Sequence, residues 1–468
     1  MKKLVSIILA LTLLLSACSF ALAEDDKPFK GRTINLWGWG FEFDSLLDED
    51  GNFRDIYNSN NFVLAAVEEW CALNECSYSI HNQTSHDELL AAITAQEGPD
   101  LFNGWGSFPS LMLNGSAKAL SPEVAERFLE KFGHTYMDVM AYNGNYYGVA
   151  LPWNAIAVYR YDRTQMEELG IKTPREYWEE GNWTFETFKQ HRKDCVVDID
   201  SDGKVDYGPG HVSEFYLTSD PVEFDENGKL VSKVNTERFR DYYQTMYETL
   251  TIDKTGYGGS WNAFFQVDDS GVYGMSNVFR WEGWYYPTGL YKLAENGHVI
   301  ESAPIPMWKQ GDTEQAVNMN GVGFCVLSGA KNEDMAISLL EFILECGLEQ
   351  MDDMSGDALG YDFAGLQGTT EISKKYLDEV SAALAEDMVN LEDAGLTEED
   401  IEWTKSLMHW YNKEANYMFD LDLPGGYFSI REGHYDQLYQ VPVATFIAEF
   451  APVHEAMCET FNNVYVTK

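Results

Sequence analysis

Apolar positions along this chain switch repeatedly between two periods. Thr33–Trp37 reads as a short apolar strand, and Phe62–Leu73 as a helix with Val63, Val67, Trp70 and Cys71 on one face. Ser77–Ile80 predicts a second strand. Ser85-His86-Asp87-Glu88 is a capping box, so a helix is expected over Glu88–Gln96. Asp100-Leu101-Phe102 opens a third strand. Strand and helix alternating at this spacing predict a parallel, doubly wound sheet, in which ligands bind beyond the carboxyl ends of the strands. Those ends are Trp37-Gly38-Trp39-Gly40, His81-Asn82-Gln83 and Asn103-Gly104-Trp105, so tryptophans and amides are expected along one rim.

Further along, Ser121-Pro122-Glu123 predicts a helix start, with serine as cap and proline in the first turn. A strand is expected over Tyr146–Ala150, then Leu151-Pro152-Trp153-Asn154 and the apolar run Ala155–Tyr161. A helix begins near Thr184, after Gly181-Asn182-Trp183. Val299–Met307, with Pro304 and Pro306, suits a crossing strand or hinge. Lys331–Leu348 is amphipathic and capped near Asn332. Residues 371–420 are acidic and helical, with a helix start at Thr397-Glu398-Glu399-Asp400.

The N-terminus changes where this protein is expected to work. Lys2 and Lys3 precede an apolar run, Leu4–Leu15, and then small residues, which is the grammar of a secretory signal. The run is shorter than the roughly 20 apolar residues of a membrane span. Two exits follow. Ala21-Leu22-Ala23 before Glu24 reads as a cleavage site, giving a signal peptide over residues 1–23. Leu15-Ser16-Ala17-Cys18 resembles a bacterial lipobox, whose cysteine would carry a lipid anchor; Phe20, Ala21 and Leu22 keep the run apolar beyond it.

Composition narrows the classes. The chain has 468 residues, 45% hydrophobic and 14% aromatic, long enough for two or three globular domains. Its 76 acids against 32 Lys+Arg give a net charge of -44. Such a surface repels phosphate backbones, so nucleic acid is not an expected partner, and the charge reads as solubility. Of seven cysteines, six remain beyond Cys18. Cys71 and Cys76 are the only close pair; a local disulfide and two buried thiols both fit the spacing.

There is no G-x-S-x-G elbow, P-loop, H-E-x-x-H or C-x-x-C motif. His81 and His86 do not share a helix face and are not read as metal ligands. Asp198-Ile199-Asp200-Ser201-Asp202-Gly203-Lys204-Val205-Asp206 matches the first half of a calcium loop, with Asp198, Asp200, Asp202, Lys204 and Asp206 as ligand positions. Pro209 replaces the usual bidentate glutamate, which would remove two ligand oxygens, and Asp202-Gly203 read instead as the turn of an acidic hairpin. Calcium would be structural, and no other cofactor is required. The 13 tryptophans carry more. Trp37, Trp39, Trp105, Trp153, Trp261, Trp281 and Trp284 sit beside Gly, Asn or Arg in expected loops, whereas Trp70 falls in a helix and reads as core. An indole face suits the C–H face of a sugar ring, with Asn, Gln, Glu and Arg for its hydroxyls.

Four segments together resemble the bacterial extracellular solute-binding proteins of ABC transporters, in the sugar-binding family that includes maltose-binding protein. They are Ile34-Asn35-Leu36-Trp37-Gly38-Trp39, Pro99-Asp100-Leu101-Phe102-Asn103, the stretch from Tyr142 to Tyr161 followed by Trp183-Thr184, and Gly321-Val322-Gly323-Phe324-Cys325-Val326-Leu327 followed by Ala330-Lys331-Asn332. The resemblance implies an α/β, two-lobe periplasmic-binding-protein-like (class II) fold, each lobe a sheet flanked by helices, joined by crossing strands. It places residues 28–150 and 305–350 in lobe 1, and 151–304 and 351–468 in lobe 2. Trp39, Gln83, Asn103, Trp105, Trp153 and Asn154 then face the cleft, with Arg280, Trp281, Glu282 and Trp284 opposite, and Asn320 and Gly321 where the chain returns. Residues 371–440 match the pattern poorly.

What the resemblance implies is a monomeric receptor, not an enzyme. It would capture a sugar or oligosaccharide and deliver it to permease subunits, as a secreted, periplasmic or lipid-anchored protein at the outer face of the cell membrane. A receptor gives the Cys18 anchor a purpose. The same fold binding a peptide or polyamine is the alternative, and a secreted carbohydrate-active enzyme is a third reading.

Overall fold

The protein's structure, a computed structural model, describes residues 27–38, 46–54, 59–81, 86–105, 108–150, 157–198, 201, 221–253, 276–279, 291–292, 299–312, 316–319, 322–352, 366–393, 397–409, 416–419 and 440–466. In chain order the first elements are β1 (Thr33–Gly38), α1 (Ser59–Asn74), β2 (Ser77–His81), α2 (His86–Thr94), β3 (Leu101–Trp105), α3 (Pro122–Phe132), β4 (Ala141–Tyr142), β5 (Asn145–Tyr146) and β6 (Gly148–Ala150). Next come β7 (Ala157–Asp162), α4 (Arg163–Leu169), α5 (Pro174–Glu179), α6 (Phe185–Asp194), β8 (Val222–Phe224), β9 (Leu230–Ser232) and α7 (Glu237–Tyr247). The rest are β10 (Ser276–Phe279), β11 (Tyr291–Lys292), β12 (Val299–Pro304), β13 (Ala316–Met319), β14 (Val322–Val326), α8 (Glu333–Asp352), α9 (Glu371–Asp393), α10 (Glu398–His409), β15 (Asn416–Phe419) and α11 (Val443–Tyr465).

The expected strand–helix alternation builds the first sheet, in the order β2-β1-β3-β14-β6. Both neighbours of β1 run parallel to it, while β14 returns antiparallel between β3 and β6. Helix α1 differs from the one-sided helix its pattern predicts. Phe62, Val63, Leu64, Ala65, Ala66 and Val67 are all buried, because α8 and α9 cover the side that would otherwise face water. Helix α3 starts as its sequence dictates: the Ser121 hydroxyl accepts from the Val124 N–H, and Pro122 occupies the first turn. The strand expected over Tyr146–Ala150 breaks at Tyr147, whose N–H turns to the Met140 carbonyl.

A second sheet, β10-β7-β12-β11, has antiparallel pairs throughout. Thr184 caps α6 with a reciprocal box to Thr187, and buried Trp183 donates its indole N–H to the Pro304 carbonyl at 2.8 Å. Each sheet has its own core, as a two-lobe α/β fold requires. Two boundaries differ from the sequence reading. Leu366, Tyr376 and Val380 pack in the first core, so the segment through α9 belongs with lobe 1 rather than lobe 2. Ile305 packs in the second core, and Met307 exchanges backbone bonds with Trp183 and Phe185, so lobe 1 does not begin at 305.

Outside the crossing segments, a small third cluster of Val222, Leu230, Cys458 and Phe461 reaches Leu113. Asn462 of α11 clamps the β8–β9 hairpin by bonding both the N–H and the carbonyl of Leu230, each at 2.8 Å. Tyr142, packed on the first core, donates to the Gly228 carbonyl at 2.9 Å and meets the Phe224 ring edge-on. No helix among the described residues is long and apolar enough to cross a membrane.

Two predictions come from this packing. Gly38 has φ of +123°, and a Cβ built there would lie 1.7 Å from the Asn103 carbonyl oxygen. Gly38→Ala is therefore expected to cost about 3–5 kcal/mol through strain and overpacking, read as a lower denaturant midpoint. His191 is wholly buried among Tyr159, Tyr177 and Trp183, and burial first, with the Arg192 charge second, pushes its pKa down to about 3. It is neutral when folded but takes a proton when unfolded below pH about 6.5. Its contribution is present above that pH and lost as the pH falls toward 3, by about 2 kcal/mol between pH 7 and pH 5. Unfolding titrations should show that loss in the wild type relative to His191→Gln.

Candidate functional site

Strand register, rather than any one side chain, defines the site. At the carboxyl ends of the parallel strands, Gly38 lies opposite Asn103, and Asn103 opposite Phe324. One step further, Gly104 pairs with Gly323 and Gly323 with Ala150; Trp105 pairs with Val322. Three predicted rim segments attach to this edge: Trp39 directly follows Gly38, Asn320-Gly321 directly precedes Val322, and Trp153-Asn154 follows shortly after Ala150. In the second sheet Phe279 pairs with Ala157 and Val158 with Pro304. The antiparallel register puts the end of β10, which Arg280-Trp281-Glu282 and Trp284 follow in sequence, beside the start of β7, which Trp153-Asn154 precede.

Trp39, Gln83, Trp153, Asn154, Arg280, Trp281, Glu282, Trp284, Asn320 and Gly321 themselves lie outside the described residues. So does Cys18, and so do Asp200, Asp202, Lys204 and Asp206 of the acidic loop; Asp198 is described and exposed, just beyond α6. Among the described residues there is no cluster of three or more His, Cys, Asp or Glu that could hold a metal.

Asn103 is the rim residue whose side chain is described. It is only 1% exposed, yet no donor among the described residues reaches its Oδ1. Buried amide oxygens are almost always paired, because leaving one unpaired costs about 1–3 kcal/mol. Gly38 creates the opportunity: without a side chain there, the ends of β1 and β3 approach directly. The result is a desolvated amide oxygen at the carboxyl end of a parallel strand, reached by no described donor.

Trp37 behaves differently from the rim tryptophan its glycine neighbour suggested. It is buried within β1, donates to Asn35 Oδ1 at 3.1 Å and packs on the His81 ring at 4.1 Å. It is core. That packing instead brings in two residues the sequence reading did not select for binding. His81 Nε2 lies 2.9 Å from Glu88 Oε1, and both side chains are partly exposed at the carboxyl end of β2. The signal was available in the sequence: His81 ends its strand at the same edge as Gly38, and Glu88 lies in the first turn of the next helix. Among the described residues the edge thus offers amide, carboxylate and imidazole groups, a set that can bind polar ligands non-covalently.

Comparison with known proteins establishes the fold. No protein-family model matches the chain, and no curated protein matches it in sequence. Its structure is similar to the cyclic α-maltosyl-1,6-maltose binding protein of Arthrobacter globiformis, with a TM-score of 0.58, 14% identity, and coverage of 92% of this chain and 100% of that one. It is also similar to the sugar-binding protein MalE of Xanthomonas citri, with a TM-score of 0.53, 14% identity and coverage of 93% and 100%. The GacH receptor of Streptomyces glaucescens, whose structures include a complex with acarbose, gives a TM-score of 0.51, 12% identity and coverage of 94% and 99%. The chain has the two-lobe α/β fold of these binding proteins.

The unpaired amide makes a prediction that needs no ligand. Asn103→Leu keeps the volume and removes the desolvated oxygen. It is expected to raise the melting temperature by about 2–4 °C, measured by calorimetry, where most core substitutions lower it.

Proposed function

We propose that this protein is the extracellular receptor of an ABC importer, binding a sugar or oligosaccharide between its lobes and presenting it to the permease as a monomer. It acts by binding and carries out no reaction. The observation that supports this reading is the strand register: in the first sheet the ends of β1, β3 and β6 and the start of β14 lie side by side where the Trp39, Asn320-Gly321 and Trp153-Asn154 segments attach in sequence, and in the second the end of β10 lies beside the start of β7. The buried acceptor at Asn103 supports it, since a hydroxyl-rich ligand supplies the missing donor. Solved structures of like fold are named as binding proteins for a maltose derivative or for sugar, and another is held with acarbose, which supports the same class. A diacylglyceryl anchor at Cys18 would keep such a receptor beside its permease; the mass of the mature N-terminus tests it, and an unmodified chain starting at Glu24 overturns it.

A ligand that binds the native state alone stabilises it by mass action, about 2.7 kcal/mol at a hundred times its Kd. A panel of mono- and oligosaccharides is therefore expected to contain members that raise the melting temperature. Asn103→Leu should weaken that response at least about tenfold in concentration, the loss of one well-made hydrogen bond. A full panel with no shift would sink the sugar reading.

A further inference from the structure

Helix α1 ends in a turn that brings two cysteines together. Glu75 adopts the left-handed conformation, with φ of +50°, and the Cys76 N–H bonds back to the Cys71 carbonyl at 3.0 Å. This is the six-to-one closure of a Schellman motif, which is frequently accompanied by a side-chain contact between residues at these two positions. In most proteins that contact is apolar. Here both partners are thiols, Cys71 buried and Cys76 half-buried.

The turn is held rigidly. Gly31 donates its N–H to the Glu75 carbonyl at 2.9 Å, and the Glu75 carboxylate pairs with Lys27 and Lys30. Ser77 N–H bonds to the Arg32 carbonyl as β2 begins. A disulfide needs its two α-carbons within about 4.4–6.8 Å, and the backbone bond from Cys76 to Cys71 keeps the two residues close across this turn.

We propose that Cys71 and Cys76 are a disulfide-forming pair that stitches the end of α1 to the start of β2 once the protein meets an oxidising exterior. The oxidant is a small or protein disulfide of the oxidised-glutathione class. Cys76, the more exposed of the two thiols, loses its proton to solvent and attacks first as thiolate, forming a mixed disulfide and releasing one thiolate; burial raises its pKa, so the step speeds up at alkaline pH. Buried Cys71 then loses its proton to solvent and attacks the Cys76 sulfur, expelling the second thiolate. The two cysteines lose two electrons and the oxidant gains them. Cys195, Cys325, Cys346 and Cys458 are each buried in separate positions of the cores. The bridge would sit at the amino end of β2, away from the strand ends that form the candidate site, so it constrains the first lobe without entering the cleft.

Peptide mapping of the full mature chain tests this. The protein is treated with oxidised glutathione, alkylated under denaturing conditions and cut by a glutamate-specific protease at the Glu75–Cys76 bond. The expected result is that fragments holding Cys71 and Cys76 stay joined until reduced, that the chain carries two fewer alkyl groups than its reduced form, and that Cys76→Ser abolishes the link. Full alkylation of both cysteines after oxidation overturns the proposal, as does a link that persists in Cys76→Ser or joins other cysteines.

Discussion

The carboxylate of Asp100 is the constraint on which the first lobe depends. It is almost wholly buried, at 2% exposure, just before β3. One oxygen accepts the Asn35 N–H of β1 at 2.9 Å and the Asn332 side-chain N–H at 3.0 Å; the other accepts the Asn332 backbone N–H at 2.8 Å. A buried charge is tolerable only when so satisfied, and each hydrogen bond to a charged group contributes about 1.5–3 kcal/mol. These bonds pin two neighbouring strands to the entry of α8, which the chain reaches only after building much of the second lobe. Arg32 extends the lock, reaching Asn332 at 2.9 Å and Asp334 at 2.7 Å. The returning strand β14 can then close the sheet between β3 and β6, which sets the register that aligns Gly38, Asn103, Gly323 and Ala150 at the site.

The second lobe depends on β12 in a comparable way. Three nearly successive residues of that strand each hold a different element. Ser302 and Pro304 offer their carbonyls to the indole N–H groups of Trp403 and Trp183. Glu301, fully buried, takes the Tyr161 hydroxyl and lies within 3.4 Å of both Arg163 and Arg175. Burial pushes the Glu301 pKa up, while the tyrosine and the two guanidiniums pull it back toward the charged form. Arg163 also pairs with Asp400, and Arg175 lies over the Trp403 ring at 4.9 Å, so α10 is fastened through charge as well as packing. Removing either arginine would leave a buried charge under-compensated, a costlier defect than losing an exposed ion pair. Each lobe is thus tied across long sequence separations, which suits a molecule whose two halves keep their own shape.

How much of this was legible depended on whether the signal was local. Alternation and caps are local, and they gave β1 through β3, α3 from Ser121-Pro122, and α6 from Thr184. The side on which a helix packs is not local. The pattern of α9 says that one face is buried, but whether Tyr376 and Val380 meet lobe 1 or lobe 2 depends on α1, some 300 residues away by the Thr369–Glu69 bond that docks its start. The same limit explains α1, whose wholly buried segment reflects neighbours that arrive late in the chain. Trp37 misled for another reason. Its glycine neighbour marks a close approach of β1 to β3, not a loop, and only the register distinguishes the two. Asn103 was readable as a strand-end amide; that its oxygen lacks a donor was not.

That unpaired oxygen connects stability to function. Gly38 gives up a side chain so that β1 and β3 can meet at their ends, and Asn103 sits buried opposite it, its Oδ1 reached by no donor among the described residues. A fold selected for stability alone would place an apolar residue there, as it does at Leu101 and Phe102 in the same strand. An acceptor kept dry and fixed before a ligand arrives loses little entropy when the ligand binds, and it discriminates against ligands that bring no donor. Under the proposed function, the cost falls on the unliganded protein and a ligand donor would offset it. If the proposed binding function holds, such a receptor would carry part of its ligand preference in the sheet edge rather than in a mobile side chain.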